Sequence, residues 1–228
     1  MKRVPTAELL DSDSGTPEQV VANLVDLRFI NRWFGGRATT QKLIERIAEK
    51  AGVRHLSVLE VAAGASQVPE TVAERVRKKG LTLDVMLLDR APSHLLLPTP
   101  SIAGDVLALP CRTESFDVVS CNLFVHHLNP PEFQQFMNEA LRVATTAVLI
   151  NDLIRHPLHL ILAYGGFVFY RSRLSRHDAP ASVRQAYTPV EMQEMLTRTA
   201  AARVEFTRHY LFRMGIIVWK SWPPKNHV

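Results

Sequence analysis

The sequence predicts an α/β protein with a doubly wound, mostly parallel sheet that ends in an antiparallel hairpin. Three observations lead to this fold class. Apolar strand-like segments alternate with amphipathic helices through the middle of the chain, the last two strand-like segments follow each other without a helix between them, and 228 residues with 46% hydrophobic content can form one sizeable core. Strands joined by helices are parallel, whereas two strands joined by a short turn are antiparallel.

Two helices are predicted before the first strand. Thr16 and Gln19 form a capping box with Pro17 at the first helical position, and apolar residues follow at helical spacing. The pair Gly35–Gly36 interrupts the pattern, and a second helix is expected to end near Gly52.

The central segments alternate between the two periodicities. Apolar strands are predicted at HLSVLEV, LTLDVMLLD, SFDVVSCN and AVLIND. A helix is predicted from Pro69 to Gly80, and PPEFQQFMNEALRVA matches the amphipathic template at every apolar position. This alternation predicts a parallel sheet with helices on both faces.

The tail departs from this alternation. TPVEMQEML is predicted to be a helix with a capping box of Thr188 and Glu191. After it, RVEFTRHYLFR and GIIVWKSW are predicted to pair as a hairpin that turns at Arg213–Gly215. The expected organisation is a single domain over residues 1–228, with a helical lid (1–38), a cofactor-binding core (39–152), a substrate cap (153–187) and a closing helix with the hairpin (188–228).

Composition excludes several classes of protein. The net charge of +5 would permit an acidic partner, but the basic residues are scattered without interleaved aromatics, so no nucleic-acid partner is expected. The longest apolar stretch, residues 157–170, is too short for a membrane span, and the first residues lack a secretory signal. Cys111 and Cys121 have neither metal nor disulfide spacing, which predicts reduced thiols in a cytoplasmic protein and no metal site.

Polar residues stand where the predicted strands end. In an open parallel sheet, ligands bind at the carboxyl ends of the strands. The residues that occupy these ends are Glu60, Gly64, Asp89, Asp105, Asn122 and Asp152.

The first of these strands runs into VLEVAAGAS, which contains Gly64 as its only glycine. A dinucleotide fingerprint requires three spaced glycines, so this turn suits a ligand without a phosphate here and argues against a nicotinamide dehydrogenase. Asp89 follows Gly64 by 25 residues, near the spacing at which an acid binds ribose hydroxyls. Tight helix packing by the small residues, and a helix N-cap at Asp89, remain as alternatives at this point.

The block GDVLALPCRTESFDVVSCNLFVHHL completes a recognisable order of motifs. With the first turn, Asp89 and the closing hairpin, it resembles class I S-adenosylmethionine-dependent methyltransferases, in the small-molecule branch that includes the ubiquinone and menaquinone biosynthesis enzymes. The resemblance covers residues 40–152 and the last strands. It implies a seven-stranded sheet, S-adenosylmethionine as cofactor and S-adenosylhomocysteine as product.

The resemblance also implies roles for single residues. Glu60 and the backbone around Ala62 and Gly64 are expected to hold the methionine part of the cofactor, and Asp89 its ribose. The expected contacts of the adenine and the sulfonium are Arg90 beside the ring, Asp105 and Val106 at its polar edge, and Asn122 beneath the sulfur. Ala62 and Ser66 depart from the pattern, because the family usually has glycine there.

His126 and His127 follow the fourth predicted strand, and Asp152 ends the fifth. In similar O-methyltransferases a histidine and an acid at these places flank the acceptor. We hypothesise that His127 takes the acceptor proton and Asp152 assists it, with His126 as the reserve candidate; capping of the next helix by the two histidines is the alternative. Related enzymes that methylate amino groups tend to carry an Asn-Pro-Pro-aromatic stretch after the fourth strand, so NLFV at this place implies an oxygen or carbon acceptor rather than an amide or exocyclic amine.

The predicted function is methyl transfer to a hydroxyl of a small aromatic, quinone or polyketide-like metabolite. C-methylation of a similar ring, or a cofactor-binding partner subunit without turnover, are the alternatives. The insertion after Asp152 is expected to wall the acceptor pocket with Leu158, Ile161, Leu162, Phe167 and Tyr170. Arg32, Trp33 and Arg37 are candidate contacts of the cofactor carboxylate or of the lid.

Overall fold

The computed structural model describes residues 1–9, 16–64, 67–92, 95 and 98–224. Ala65 and Ser66 of the first turn, and Ser93 after Asp89, lie outside the described residues.

Seven strands form one sheet in the order β3-β2-β1-β4-β5-β7-β6. The strands are β1 (His55–Val61), β2 (Thr82–Asp89), β3 (Ser101–Ala103), β4 (Phe116–Asn122), β5 (Ala144–Leu153), β6 (Arg203–His209) and β7 (Arg213–Trp219). The first five pair in parallel, and β7 runs antiparallel to both of its neighbours. The predicted fold class is therefore confirmed, and the three-residue β3 is an element that the apolar pattern did not reveal.

Seven α-helices lie in the described residues. They are α1 (Pro17–Trp33), α2 (Gly36–Ala51), α3 (Val68–Arg77), α4 (Pro130–Val143), α5 (Pro157–Gly165), α6 (Arg173–Gln185) and α7 (Pro189–Leu196). The predicted capping boxes of α1 and α7 are both present. Asn129 caps α4 through a further box with Glu132, so neither histidine of the preceding turn caps that helix.

The core has a layer on each face of the sheet. Apolar residues of α2 and α3 pack on one face, and those of α4 and α7 pack on the other. Phe133, Phe136 and Met137 of α4 are fully buried, as the helical template predicts. Burying each such side chain stabilises the fold by about 1.5–3 kcal/mol, so α4 is held firmly against the strands that carry the site.

The position predicted for the last hairpin turn is wrong. Arg213 and Gly215 lie inside β7, where they pair with Leu153 and Asn151 of β5. The chain turns at residues 210–212 instead, where Leu211 and Phe212 have φ values of 53° and 60°. Long-range pairing with β5 extends β7 by the three residues that looked like a local turn.

Three helices lie away from the two core layers. Helix α6 contacts both α1 and α5, and α1 also contacts α2. Among the described residues, none of the helices is both long and apolar enough to cross a membrane.

Candidate active site

A cavity of about 630 Å³ lies at the carboxyl ends of β1, β2 and β4, below α1, α5 and α6. This is the edge at which parallel sheets of this type bind ligands, and the volume falls in the range of small-molecule sites. One end of the cavity is lined by the turns after β1 and β2, and the other by residues of α5 and α6 and by two histidines.

The turn after β1 is held open toward the cavity. Gly64 has a φ of +54°, and a Cβ built on it would meet no atom within 4 Å, so the backbone faces open space. The Gly64 N–H donates to Oδ2 of Asp89 at 2.8 Å, while the Ala91 N–H donates to Oδ1 at 2.9 Å. Asp89 therefore fixes both turns and presents its carboxylate, 9% exposed, at the cavity wall.

Most of the predicted cofactor residues converge on this end. The cavity-lining members are Ala62, Gly64, Asp89, Arg90, Asp105, Val106 and Asn122. Glu60 differs from the expectation, because it does not line the cavity and its side chain is 2% exposed. Its Oε1 accepts a hydrogen bond of 2.5 Å from Nδ2 of Asn122, so Glu60 supports a lining residue.

Burial changes the protonation of Glu60. Desolvation, with a smaller contribution from Glu70, raises its pKa to about 7, against the opposing hydrogen bond from Asn122. A carboxyl group in this position is partly protonated at neutral pH.

Asn122 belongs to a buried polar network that connects three strands to α2. Its Oδ1 accepts hydrogen bonds from Thr40 at 2.6 Å and from Nδ2 of Asn151 at 2.8 Å. Arg213, 1% exposed, donates in turn to Oδ1 of Asn151 and of Asn31 and to the Phe34 carbonyl. The network fixes the orientation of the Asn122 amide at the cavity wall.

Arg37 is a further charged residue of the wall. Its Nε is buried and has no hydrogen-bond partner among the described residues. Burial lowers the pKa of Arg37, and the charges of Arg75 and Arg32 lower it further. A partly buried guanidinium with a buried, unsatisfied N–H beside other cations favours an anionic group in the cavity.

At the other end, His126 joins two carboxylates. Its Nδ1 lies 2.6 Å from Oδ1 of Asp152, and its backbone N–H donates to Oδ2 of the same residue at 3.1 Å. Its Nε2 lies 3.4 Å from Oε1 of Glu8. The structure thus pairs Asp152 with His126, whereas the sequence-based hypothesis paired it with His127.

The charges in this group reinforce one another. Although burial lowers the pKa of His126, the charges and hydrogen bonds of Asp152 and Glu8 raise it to about 10. Burial raises the pKa of Glu8, but His126, His127 and Ser182 lower it to about 2. At neutral pH the group therefore contains a protonated histidine between two carboxylates.

His127 lies beside this group and faces the cavity. Its ring stacks on Phe124, and its Nε2 lies 3.8 Å from Oε1 of Glu8. The carboxylate next to His127 is thus Glu8 and not Asp152.

Oε1 of Glu8 and a ring nitrogen of each histidine lie within 4.8 Å of one another, a spacing that a divalent cation can bridge. Two features favour a proton over a metal ion here. Ser182 and Gln185 already donate to Oε1 of Glu8, and the raised pKa keeps His126 protonated at neutral pH, so its Nε2 has no lone pair for a metal.

Glu8 reaches the cavity because the first nine residues are anchored along α6. The Arg3 guanidinium donates to the carbonyls of Gln185, His126 and Leu128 and lies 4.2 Å from the centre of the Tyr187 ring. The Leu9 N–H donates to Asp178 at 2.9 Å.

The cap contributes only part of its predicted apolar wall. Leu162 and Tyr170 line the cavity together with Phe169, whereas Leu158, Ile161 and Phe167 do not. Of the three lid candidates, Arg37 lines the cavity, and Arg32 and Trp33 do not.

Sequence reasoning missed Glu8, Thr40, Asn151 and Arg213. Asn151 and Arg213 stand in otherwise apolar strand segments, where a polar residue signals a buried hydrogen-bond network, whereas Thr40 lies in a polar stretch of α2 that gives no such signal. Glu8 lies in an acidic opening without helical or strand periodicity, so no local pattern distinguished it.

Residues 58–146, from β1 to the start of β5, match the family model described as a methyltransferase domain. Among curated proteins, no sequence matches the chain.

The fold is similar to that of solved methyltransferases. The plantazolicin methyltransferase BpumL, crystallised with a triazolic desmethylPZN analog and SAH, has a TM-score of 0.70 at 12% identity, covering 93% of this chain and 95% of that one. A SAM-dependent methyltransferase from Aquifex aeolicus has a TM-score of 0.53 at 16% identity, covering 78% and 89%. The CMeT domain of the citrinin polyketide synthase also has a TM-score of 0.53, at 12% identity, covering 73% of this chain and 46% of that one. The likeness establishes the fold, and the domain match over residues 58–146 supports the prediction of a methyltransferase.

Proposed function

We propose that this class I methyltransferase transfers a methyl group from S-adenosylmethionine to an oxygen atom of a small molecule. One observation carries the proposal: a single cavity joins the Asp89–Gly64 turn at one end to the Glu8–His126–His127 group at the other. The first suits a nucleoside with an amino-acid tail, and the second suits removal of a proton from an acceptor.

The cofactor end fits the shape and charge of S-adenosylmethionine. Both oxygens of Asp89 accept a backbone N–H, and a carboxylate, which offers about four lone-pair sites, can also accept the hydrogen bond of a ribose hydroxyl. The open space at Gly64 admits the amino-acid tail along the backbone, and the unsatisfied N–H of Arg37 suits its carboxylate. The adenine would then contact Asp105, Val106 and Arg90. Asn122 would lie near the sulfur. When bound, the cofactor supplies an electrophilic methyl group on a sulfonium.

At the acceptor end, His127 takes the proton of the attacking hydroxyl. His126 does not serve, because its pKa of about 10 keeps it protonated at neutral pH. The carboxylate of Glu8, 3.8 Å away, stabilises the His127 imidazolium that forms. Asp152 and His126 are positioning residues: Asp152 orients the His126 ring, and that ring holds Glu8 in place.

The acceptor is a small, largely apolar molecule with an ionisable hydroxyl, such as a phenol, a quinol or a polyketide. Leu162, Phe169 and Tyr170 supply the apolar wall, whereas the histidines supply the polar end. Membership of the ubiquinone and menaquinone branch belongs to this proposal, and so do the boundaries given above for lid, core, cap and closing segment.

Calorimetric titration with S-adenosylmethionine tests the donor end. Asp89→Asn removes the charge that faces the ribose and keeps the side-chain volume, and we expect affinity to fall at least about tenfold. Asp84→Asn, on the same strand with its side chain 72% exposed, is the matched control and leaves affinity unchanged. Equal affinities for both variants would contradict the role of Asp89.

Turnover of a panel of phenolic and quinol acceptors with the deuterated-methyl cofactor tests the acceptor end. We expect His127→Gln to lower kcat by about 10²–10⁴ while S-adenosylmethionine binds as before. If His126 holds Glu8 in place, Glu8→Gln should lower turnover less in the His126→Gln background than in the parent. The double variant measures this difference. Product NMR that locates the new methyl group on carbon would replace O-methylation by C-methylation.

A further inference from the structure

Helix α5 and the turn after it present apolar side chains to the solvent. Ala163 is the only residue of α5 that is buried. Leu158, Ile161, Val168 and Phe169 are 56%, 63%, 81% and 70% exposed. Single exposed apolar residues are common, but several on one short helix and its turn mark an interaction site.

These side chains continue into the mouth of the cavity. Leu162 and Phe169 line the cavity and are also exposed, and so are Phe29 and Phe34 at the end of α1. Apolar groups from two helices thus surround the opening through which an acceptor enters. We call this set, with Leu158, Ile161 and Val168, the mouth surface.

The exposed charges of the segment that carries α5 and the start of α6 have one sign. From residue 154 to residue 184 the only acid is Asp178, which is buried and accepts the Leu9 N–H. Arg171, Arg173 and Arg176 of the same segment are exposed. A second copy of this chain would bring like charges together across the mouth surface, whereas an anionic surface is complementary to it.

We propose that the mouth surface docks on an anionic lipid surface, so that the acceptor passes from the lipid directly into the cavity. The apolar side chains enter the acyl–headgroup boundary, and the arginines remain at the level of the lipid phosphates. The docking goes beyond the methyl transfer proposed above. Because the docking is tested by lipid binding alone, a negative result would not contradict the proposed methyl transfer.

Sedimentation with vesicles of phosphatidylcholine, with or without phosphatidylglycerol, tests the docking. We expect binding to the anionic vesicles that weakens as salt rises. The triple variant Leu158→Ser, Ile161→Ser, Val168→Ser should bind at least about tenfold more weakly, because it removes apolar area outside the cavity lining. Val190→Ser, at a 65% exposed position of α7, is the matched control and should bind like the parent.

The arginines are tested separately. Arg171→Gln, Arg173→Gln, Arg176→Gln should abolish the preference for phosphatidylglycerol. Unchanged S-adenosylmethionine affinity and melting temperature in both triple variants show that the fold is intact. The proposal is overturned if the parent does not sediment with anionic vesicles, or if the serine variant binds them as well as the parent does. A parent dimer that the serine variant abolishes would assign the mouth surface to a second copy and would likewise overturn it.

Discussion

Replacement of Glu60 by glutamine tests the physical account of the network beneath the cavity. Glu60 is fully buried, and desolvation raises its pKa to about 7 from a reference value of 4.5. Because the folded state holds the proton more tightly than the unfolded chain does, this group contributes most to stability below pH 4.5. Its contribution declines as the pH rises through about 7.

The size of the effect follows from the two pKa values. A shift from 4.5 to about 7 corresponds to about 3 kcal/mol between the acidic and alkaline limits. Most of this is lost between about pH 5 and pH 8. Glu60→Gln removes the ionisation and keeps an oxygen to accept from Asn122, so the variant should gain about 2–3 kcal/mol of stability relative to the parent over that interval.

Urea unfolding at a series of pH values measures this difference. Glu49→Gln, whose side chain is 71% exposed, is the control and should follow the parent at every pH. Other titrating groups cancel in the comparison, because parent and variant share them. A free-energy difference between Glu60→Gln and the parent that stays constant from pH 5 to pH 8 would refute the raised pKa.

Three further substitutions probe the turns and the network. Gly64→Ala should cost about 1 kcal/mol of stability because its φ is +54°, and calorimetry should show a larger loss of S-adenosylmethionine binding, since the added methyl group projects into the cavity. Gly36→Ala would place a Cβ 2.3 Å from Oδ1 of Asn31, and we expect urea unfolding to show a loss of about 1–3 kcal/mol. Arg213→Met leaves three oxygens, two of them buried, without this donor and should lower the free energy of unfolding by about 3 kcal/mol, whereas a loss below about 0.5 kcal/mol would show that the network is not structural.

The sequence was sufficient for the elements whose signal is local. Strand β1 has the predicted bounds, and α2 ends at Ala51, followed by Gly52 in the left-handed conformation that glycine favours. The apolar pattern of a strand and the glycine after a helix each involve only a few consecutive residues, so they can be recognised in the sequence. Four of the six residues predicted at the strand ends line the cavity, because the topology of a parallel sheet brings those ends together.

The rest depends on contacts between distant residues. Glu8 meets His126 across more than a hundred positions of the chain, and Arg213 meets Asn31 across a similar span. Neither contact produces a periodic pattern in the sequence. Which of the two histidines pairs with Asp152 likewise depends on the turn that the chain makes after β4. Because His126 and His127 are adjacent and of the same type, the sequence does not distinguish them.

The position of Glu8 means that the two ends of the cavity are built from different segments of the chain. The residue that completes the proposed proton-accepting group lies among residues 1–9, which contact α6, whereas the proposed nucleoside end is built from the turns after β1 and β2. Grafting a different opening stretch onto the same sheet would therefore alter which acceptors react while donor affinity stays constant. That stretch is a compact target for redesigning acceptor preference.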